Sequence, residues 1–179
     1  MNYKIKNGLF YLEDGDGLVI PTLNEETDDN VILDKKVSSF VYENISGDFE
    51  MSACFIPEHM SFTDSFGIVI ETPDGCGYVK SEANEGGNGI KSGMTGLFDF
   101  ENPKQFLGKE KVYLKIVRQG CTYNTFFSED GKNYNICGSF ELESDEIKAG
   151  FEIESFQGSS FAVKVTDIQK YANKKKNVA

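Results

Sequence analysis

The chain has 179 residues, a formal net charge of −11, and 15 Phe and 8 Tyr but no Trp. A domain of this length buries a sizeable core without disulfides or metals. So acidic a surface repels phosphate backbones and anionic lipid, which argues against nucleic-acid and membrane partners, and no apolar run reaches the length of a membrane-spanning helix.

Short strands are expected at Tyr3–Ile5 and Leu9–Leu12, split by the turn dipeptide Asn7-Gly8, and at Leu18–Ile20. Pro21–Asn30 is polar and holds Glu25, Glu26, Asp28 and Asp29. Hard oxygens in a cluster suit calcium, but the spacing lacks the EF-hand pattern, so a solvated loop is the reading and no cofactor is expected. Val37–Glu43 and Phe49–Ile56 form a pair joined across Ser46-Gly47. In the second strand Phe49, Met51, Ala53 and Phe55 alternate with Glu50, Ser52 and Cys54, the period of a strand with one core face. Phe66–Glu71 is more uniformly apolar and reads as a central strand.

Pro73-Asp74-Gly75 makes a turn before the strand Gly77–Glu82. Asn84–Gly93 (NEGGNGIKSG) lacks the Lys-Ser/Thr ending of a phosphate-binding loop, and reads as a flexible hairpin loop able to shape a binding rim. Met94–Phe100 is a further strand, and Pro103–Lys111 a connector with room for one helical turn. Val112–Val117 and Cys121–Phe127 form a hairpin across Gln119-Gly120, and Ser128-Glu129-Asp130-Gly131 turns the chain into Tyr134–Leu142. Glu141, Glu143, Asp145 and Glu146 suit a solvated turn. Gly150–Phe156 and Phe161–Thr166 alternate again, and the chain closes in a basic tail with Lys174, Lys175 and Lys176. About a dozen short strands without an amphipathic helix point to an all-β sandwich of two antiparallel sheets, one domain over residues 1–171 with a tail at 172–179.

The four cysteines form no C-x-x-C pair, so a zinc knuckle is not expected. Met1–Phe10 hold no continuous apolar stretch, so no secretory signal is expected there, although a secreted chain with its leader removed would read the same. A chain starting naturally at Met1 is then expected in the cytoplasm with free thiols. His59 is the only histidine, which rules out a multi-histidine metal centre within the chain and reads as a loop residue.

The run Tyr113–Gly120 (YLKIVRQG) and the run Thr122–Tyr134 (TYNTFFSEDGKNY) resemble the DUF1349 family of the concanavalin A-like lectin/glucanase superfamily, whose usual wording is a strand "vwLKivr-G" and then "S-x-D-G-x-x-W". Tyr134 stands where that family usually has Trp. The resemblance implies a jelly roll with one convex and one concave sheet, and places the chain beside sandwiches that bind carbohydrate. Retaining glucanases on this fold carry a strand motif E-x-D-x-x-E or E-x-D-x-E, which is absent here. Glu152 and Glu154 share one strand face but read as a wet outer surface.

The expected function is non-catalytic binding, with carbohydrate as ligand. Sugar sites pair aromatic rings with short polar groups, and the candidates are Tyr78, Tyr113, Lys115, Tyr123, Asn124 and Asn88, with Tyr42 and Asn84 as further strand residues of the same kind. The rival from another class is a cytoplasmic interaction or regulatory protein, as a homodimer through a sheet edge or face. A glycoside hydrolase using Glu152 and Glu154 comes third.

Overall fold

The computed structural model describes residues 3–8, 11–22, 37–58, 60, 64–84, 87–95, 97–100, 105–106, 111–155 and 161–173. The regular structure they form is all strand. In chain order the strands are β1 (Lys4–Lys6), β2 (Leu12–Asp14), β3 (Gly17–Pro21), β4 (Val37–Ile45) and β5 (Asp48–Pro57). Next come β6 (Ser65–Thr72), β7 (Gly75–Asn84), β8 (Gly87–Met94), β9 (Leu97–Phe100) and β10 (Gln105–Phe106). The last are β11 (Val112–Gln119), β12 (Thr122–Ser128), β13 (Asn135–Glu141), β14 (Ile147–Ser155) and β15 (Ala162–Asn173).

They build two antiparallel sheets. The first runs β1-β4-β14-β6-β7-β8-β10, with β9 also on β8; the second runs β13-β12-β11-β5-β15-β3-β2. Alternation sets what lies between them. Phe49, Met51, Ala53 and Phe55 of β5, and Val112, Leu114 and Ile116 of β11, turn inward from the second sheet. Phe66, Ile68 and Ile70 of β6, and Ala149, Phe151 and Ile153 of β14, meet them from the first. Phe55 joins the layers, its ring centroid 5.4 Å from that of Phe66 and 5.8 Å from that of Phe151. Each Val, Leu, Ile, Met or Phe among them that is hidden from water stabilises the fold by about 1.5–3 kcal/mol, so this double layer of rings and branched aliphatics holds the sheets face to face.

The hairpin of β11 and β12 sits inside the second sheet, between β5 and β13. Gly120 takes φ +62° at its turn, which a side chain would strain. Its N–H donates to Asp48 at 2.8 Å. The Ser128–Gly131 turn folds onto itself. Asp130 accepts from the N–H groups of Asn133 and Lys132 at 2.8 Å each and from the Asn133 side chain at 2.7 Å. Those donors hold its carboxyl well below the usual carboxylate range. The turn's polar groups serve its own backbone, and Tyr134 beside it packs over a lysine of β11.

Three expectations change. The glycine-rich stretch is a strand, β8, from Gly87, paired along its length with β7. Pairing on both sides outweighs glycine's weak strand preference. Gln105 and Phe106, in the expected connector, pair with Gly89 and Asn88 as an edge strand. The last strand runs on to Asn173 through a bulge between Thr166 and Gln169, where Asp167 has φ +50°. The acidic run Glu25, Glu26, Asp28 and Asp29, His59, and the tail lysines lie outside the described residues.

Candidate functional site

The outward face of the first sheet carries chemistry that the core does not require. Its register aligns Glu152 of β14 with Gly67 of β6, and Gly67 with Lys80 of β7. Gly67 has no side chain, so Lys80 reaches across β6. Its Nζ lies 2.5 Å from Glu152 Oε2 and 2.8 Å from Glu154 Oε2. Ser65 Oγ donates to the same Glu154 oxygen at 3.1 Å. The side chains of Lys80, Glu152 and Glu154 are only 12, 16 and 7 % exposed. Burial by itself would lower the lysine, but the two carboxylates overcome it and hold Lys80 above its ordinary value, so it stays an ammonium. The expectation of a wet outer surface for Glu152 and Glu154 is therefore corrected: both are largely buried and converge on one cation. A Cβ on Gly67 would sit 2.1 Å from the Val79 carbonyl oxygen and 2.9 Å from Lys80 Cγ. Gly67→Ala is expected to cost about 1–3 kcal/mol, because β6 and β7 must part locally; a denaturation midpoint equal to wild type would refute this.

The adjacent row on the same face runs Tyr42, Gly150, Val69, Tyr78 across β4, β14, β6 and β7. Phe40 stacks on Tyr42 with centroids 5.1 Å apart. Phe40 and Val69 are each 2 % exposed, though neither belongs to the core between the sheets. Tyr42 and Tyr78, at the two ends of this row, remain half-buried. Lys80 Nζ stands 5.4 Å from the Tyr78 ring centroid, which ties that ring to the charged cluster.

Tyr78 is thus the expected residue that joins this site. Asn88 pairs with Ala83, on the alternate that faces the other way from Tyr78. Tyr113, Lys115 and Asn124 lie on the outward face of the second sheet. There the Lys115 ammonium is held against Tyr134 at 4.2 Å and Phe126 at 5.1 Å, with Glu50 at 3.6 Å. The Tyr113 hydroxyl donates to Asp167 at 3.3 Å, and burial, Cys54 and Asp167 push it up to about 12. Tyr123 corrects its expectation outright: it is fully buried, stacked on Phe140 with centroids 5.1 Å apart, and offers no ring to a ligand. The six candidates therefore divide between two sheets and the core.

A cleft of about 620 Å³ opens at one end, lined by Asn44, Ser46, Glu71, Thr72, Asp145 and Lys148 among others. Its central carboxylate is committed: Glu71 meets Lys6 at 2.5 Å and Lys148 at 2.6 Å. Burial raises Glu71, but hydrogen bonds from the two lysines prevail and lower it. Among the described residues no group of three or more His, Cys, Asp or Glu side chains is placed to hold a metal.

No protein-family model matches the sequence, and no curated protein does. Solved structures do. A functionally unknown protein from Saccharomyces cerevisiae superposes with a TM-score of 0.68 at 12 % identity, over 96 % of this chain and 97 % of that one. A lectin from Bauhinia forficata in complex with GalNAc superposes at 0.60 and 12 % identity, over 96 and 93 %. The fold is an all-β sandwich of two antiparallel sheets, shared with these proteins. A xylan β-1,4-xylosidase from Bacillus halodurans also matches, at 0.64 and 12 % identity, but over 87 % of this chain and only 33 % of the enzyme, so the chain spans about a third of its length. Identities this low establish the architecture and carry no residue across.

The missed residues are Lys80 and Gly67, which bring the already noted Glu152 and Glu154 together around one cation. Their signal was an isolated glycine inside each of two otherwise strong strands, Gly67 and Gly150, the mark of a close approach.

Proposed function

We propose that the outward face of the first sheet binds carbohydrate without cleaving it. The observation that carries this reading is the pair of half-buried tyrosines, Tyr42 and Tyr78, in one cross-strand row with Gly150 and Val69 beside the Glu152–Lys80–Glu154 cluster. Sugars offer apolar C–H faces to rings and hydroxyls to carboxylates and ammonium groups, and this face supplies both. The lectin among the similar structures supports the same reading.

The reading is non-catalytic for a physical reason. Retaining glycosidases set two carboxyl groups about 5–5.5 Å apart with the scissile bond between them, one of them protonated. Here an ammonium fills that gap and hydrogen-bonds both groups in their charged form. The resemblance to the DUF1349 family and a cytoplasmic setting belong to this reading. Thiol counting on protein taken from its native cells checks that setting, because a reducing compartment keeps cysteines as thiols.

The test is calorimetric titration against a broad glycan panel. Tyr78→Ala should weaken the best ligand about tenfold, equivalent to about 1.4 kcal/mol, with the melting temperature little changed. Silence across the panel, or release of reducing sugar from any member, would sink the proposal.

A further inference from the structure

We propose that the cleft of about 620 Å³ at the end of the sandwich is a second site, and that it binds a small aliphatic zwitterion: a short carbon chain with a carboxylate at one end and an ammonium at the other, such as free lysine. Three connections build it. β14 lies between β4 and β6, so the β4–β5 turn, the β6–β7 turn and the segment entering β14 meet around the start of β14. Each is fixed from within the fold. Arg118 donates to the Gly47 and Ser144 carbonyls at 3.0 and 2.7 Å. Thr72 Oγ1 donates to the Gly75 carbonyl at 3.1 Å and accepts from the Asp74 N–H at 3.2 Å. Ser144 Oγ donates to the Glu146 carbonyl at 3.2 Å and accepts from the Glu146 N–H at 3.1 Å, which holds Asp145 at the tip of its turn. The volume falls in the range of about 300–1,000 Å³ typical of small-molecule sites. Walls already set in place bind a ligand without first having to be ordered.

The lining combines three chemistries. Ile45, Pro73 and Ile147 give an apolar wall suited to methylene groups. Lys148 gives a cation. Its Nζ meets one Glu71 oxygen at 2.6 Å while Lys6 Nζ meets the other at 2.5 Å, so two ammoniums share one carboxylate and a positive charge is left over. Each ammonium has three N–H donors, and both lysines are partly exposed, so donors remain for a second carboxylate. Asp145 and Glu146 give anions. Both are exposed, and no lysine or arginine among the described residues pairs with either. Opposite charges in one cleft select a ligand that carries both. A simple anion is repelled by a chain of net charge −11, and a diamine turns a like charge toward Lys148. A zwitterion gives each end a charge-assisted hydrogen bond and lays its methylenes against the isoleucines.

The experiment is titration calorimetry of the full chain with L-lysine, 6-aminohexanoate, 1,5-diaminopentane and hexanoate, at low and at high NaCl. Lysine and 6-aminohexanoate should each bind about tenfold or more tightly than the diamine and hexanoate. High salt should weaken them, because the charged partners are exposed. In the double variant Asp145→Asn/Glu146→Gln the advantage over hexanoate should vanish, and in Lys148→Gln the advantage over the diamine. The substituted side chains lie at the surface, so melting temperatures near wild type should accompany both losses. Lack of lysine binding, a diamine or hexanoate bound as tightly as lysine, or full affinity in the double variant would overturn the proposal. None of these probes or variants touches the tyrosine row, so such a failure leaves the carbohydrate reading standing, and silence on the glycan panel leaves this one standing.

Discussion

Replacing Lys80 with Met is expected to lower folding stability by about 3–5 kcal/mol, the usual result of removing one partner from a buried ion pair. The side chain is close in length and apolar, so packing changes little while the charge disappears. What remains is two carboxylates near one another, Glu154 almost wholly buried and Glu152 largely so. Urea unfolding reads the loss directly as a shift in midpoint at unchanged slope. Adding Glu152→Gln and Glu154→Gln to the same variant should return most of the stability, because the uncompensated charges go. The pH dependence has a sign that separates this mechanism from simple misfolding. In the wild type the fold raises the Lys80 pKa. Its contribution is therefore complete below the unfolded lysine value, near 10.4, and fades as pH climbs through the folded value. In the Met variant the defect should shrink on acidification through the ordinary carboxylate range, as the stranded glutamates take up protons. A loss below about 1 kcal/mol, or one indifferent to pH, would mean that the cluster is solvated and does not hold the sheet face together.

That cluster also marks where reading the sequence stopped. Alternation in Phe49–Phe55 and in Val112–Ile116 is a local property, and it predicts which side chains enter the core because a strand's period is fixed by its own backbone. The same logic placed Glu152 and Glu154 on one face. It could not say that β14 pairs with β6, or that β7 lies on the other side of β6, since those pairings close loops of many residues and leave no local trace. Lys80 meets Glu152 only through that arrangement. Tyr123 failed for a related reason: at a strand position with the right alternation, a tyrosine looks the same whether its face meets water or Phe140. The glycine-rich run failed because pairing partners, more than composition, decide whether such a segment extends.

Arg118→Met is expected to cost about 2–4 kcal/mol, through loss of hydrogen bonds from a charged donor. Arg118 ends β11 on its inward side and is 4 % exposed. Its planar fork meets carbonyls from separate connections: Nε to Gly120 at 2.7 Å, Nη1 to Gly47 at 3.0 Å and Nη2 to Ser144 at 2.7 Å. The guanidinium also stands over the Tyr123 ring, 5.6 Å from its centroid. One side chain thus binds the β4–β5 turn, the β11–β12 turn and the segment leading into β14 at a single end of the sandwich. Ser46 and Asp145, neighbours of two of those carbonyls, line the 620 Å³ cleft, so the clamp fixes that cleft's walls as well. Lysine keeps the charge but not the fork, and its single nitrogen cannot serve carbonyls arranged around a plane. Arg118→Lys should therefore recover less than half of the loss, and amide exchange should quicken around residues 46–48, 119–121 and 143–146 while the centre of β14 stays protected. Full recovery by lysine would show that only the positive charge matters there, and the clamp as described would be wrong.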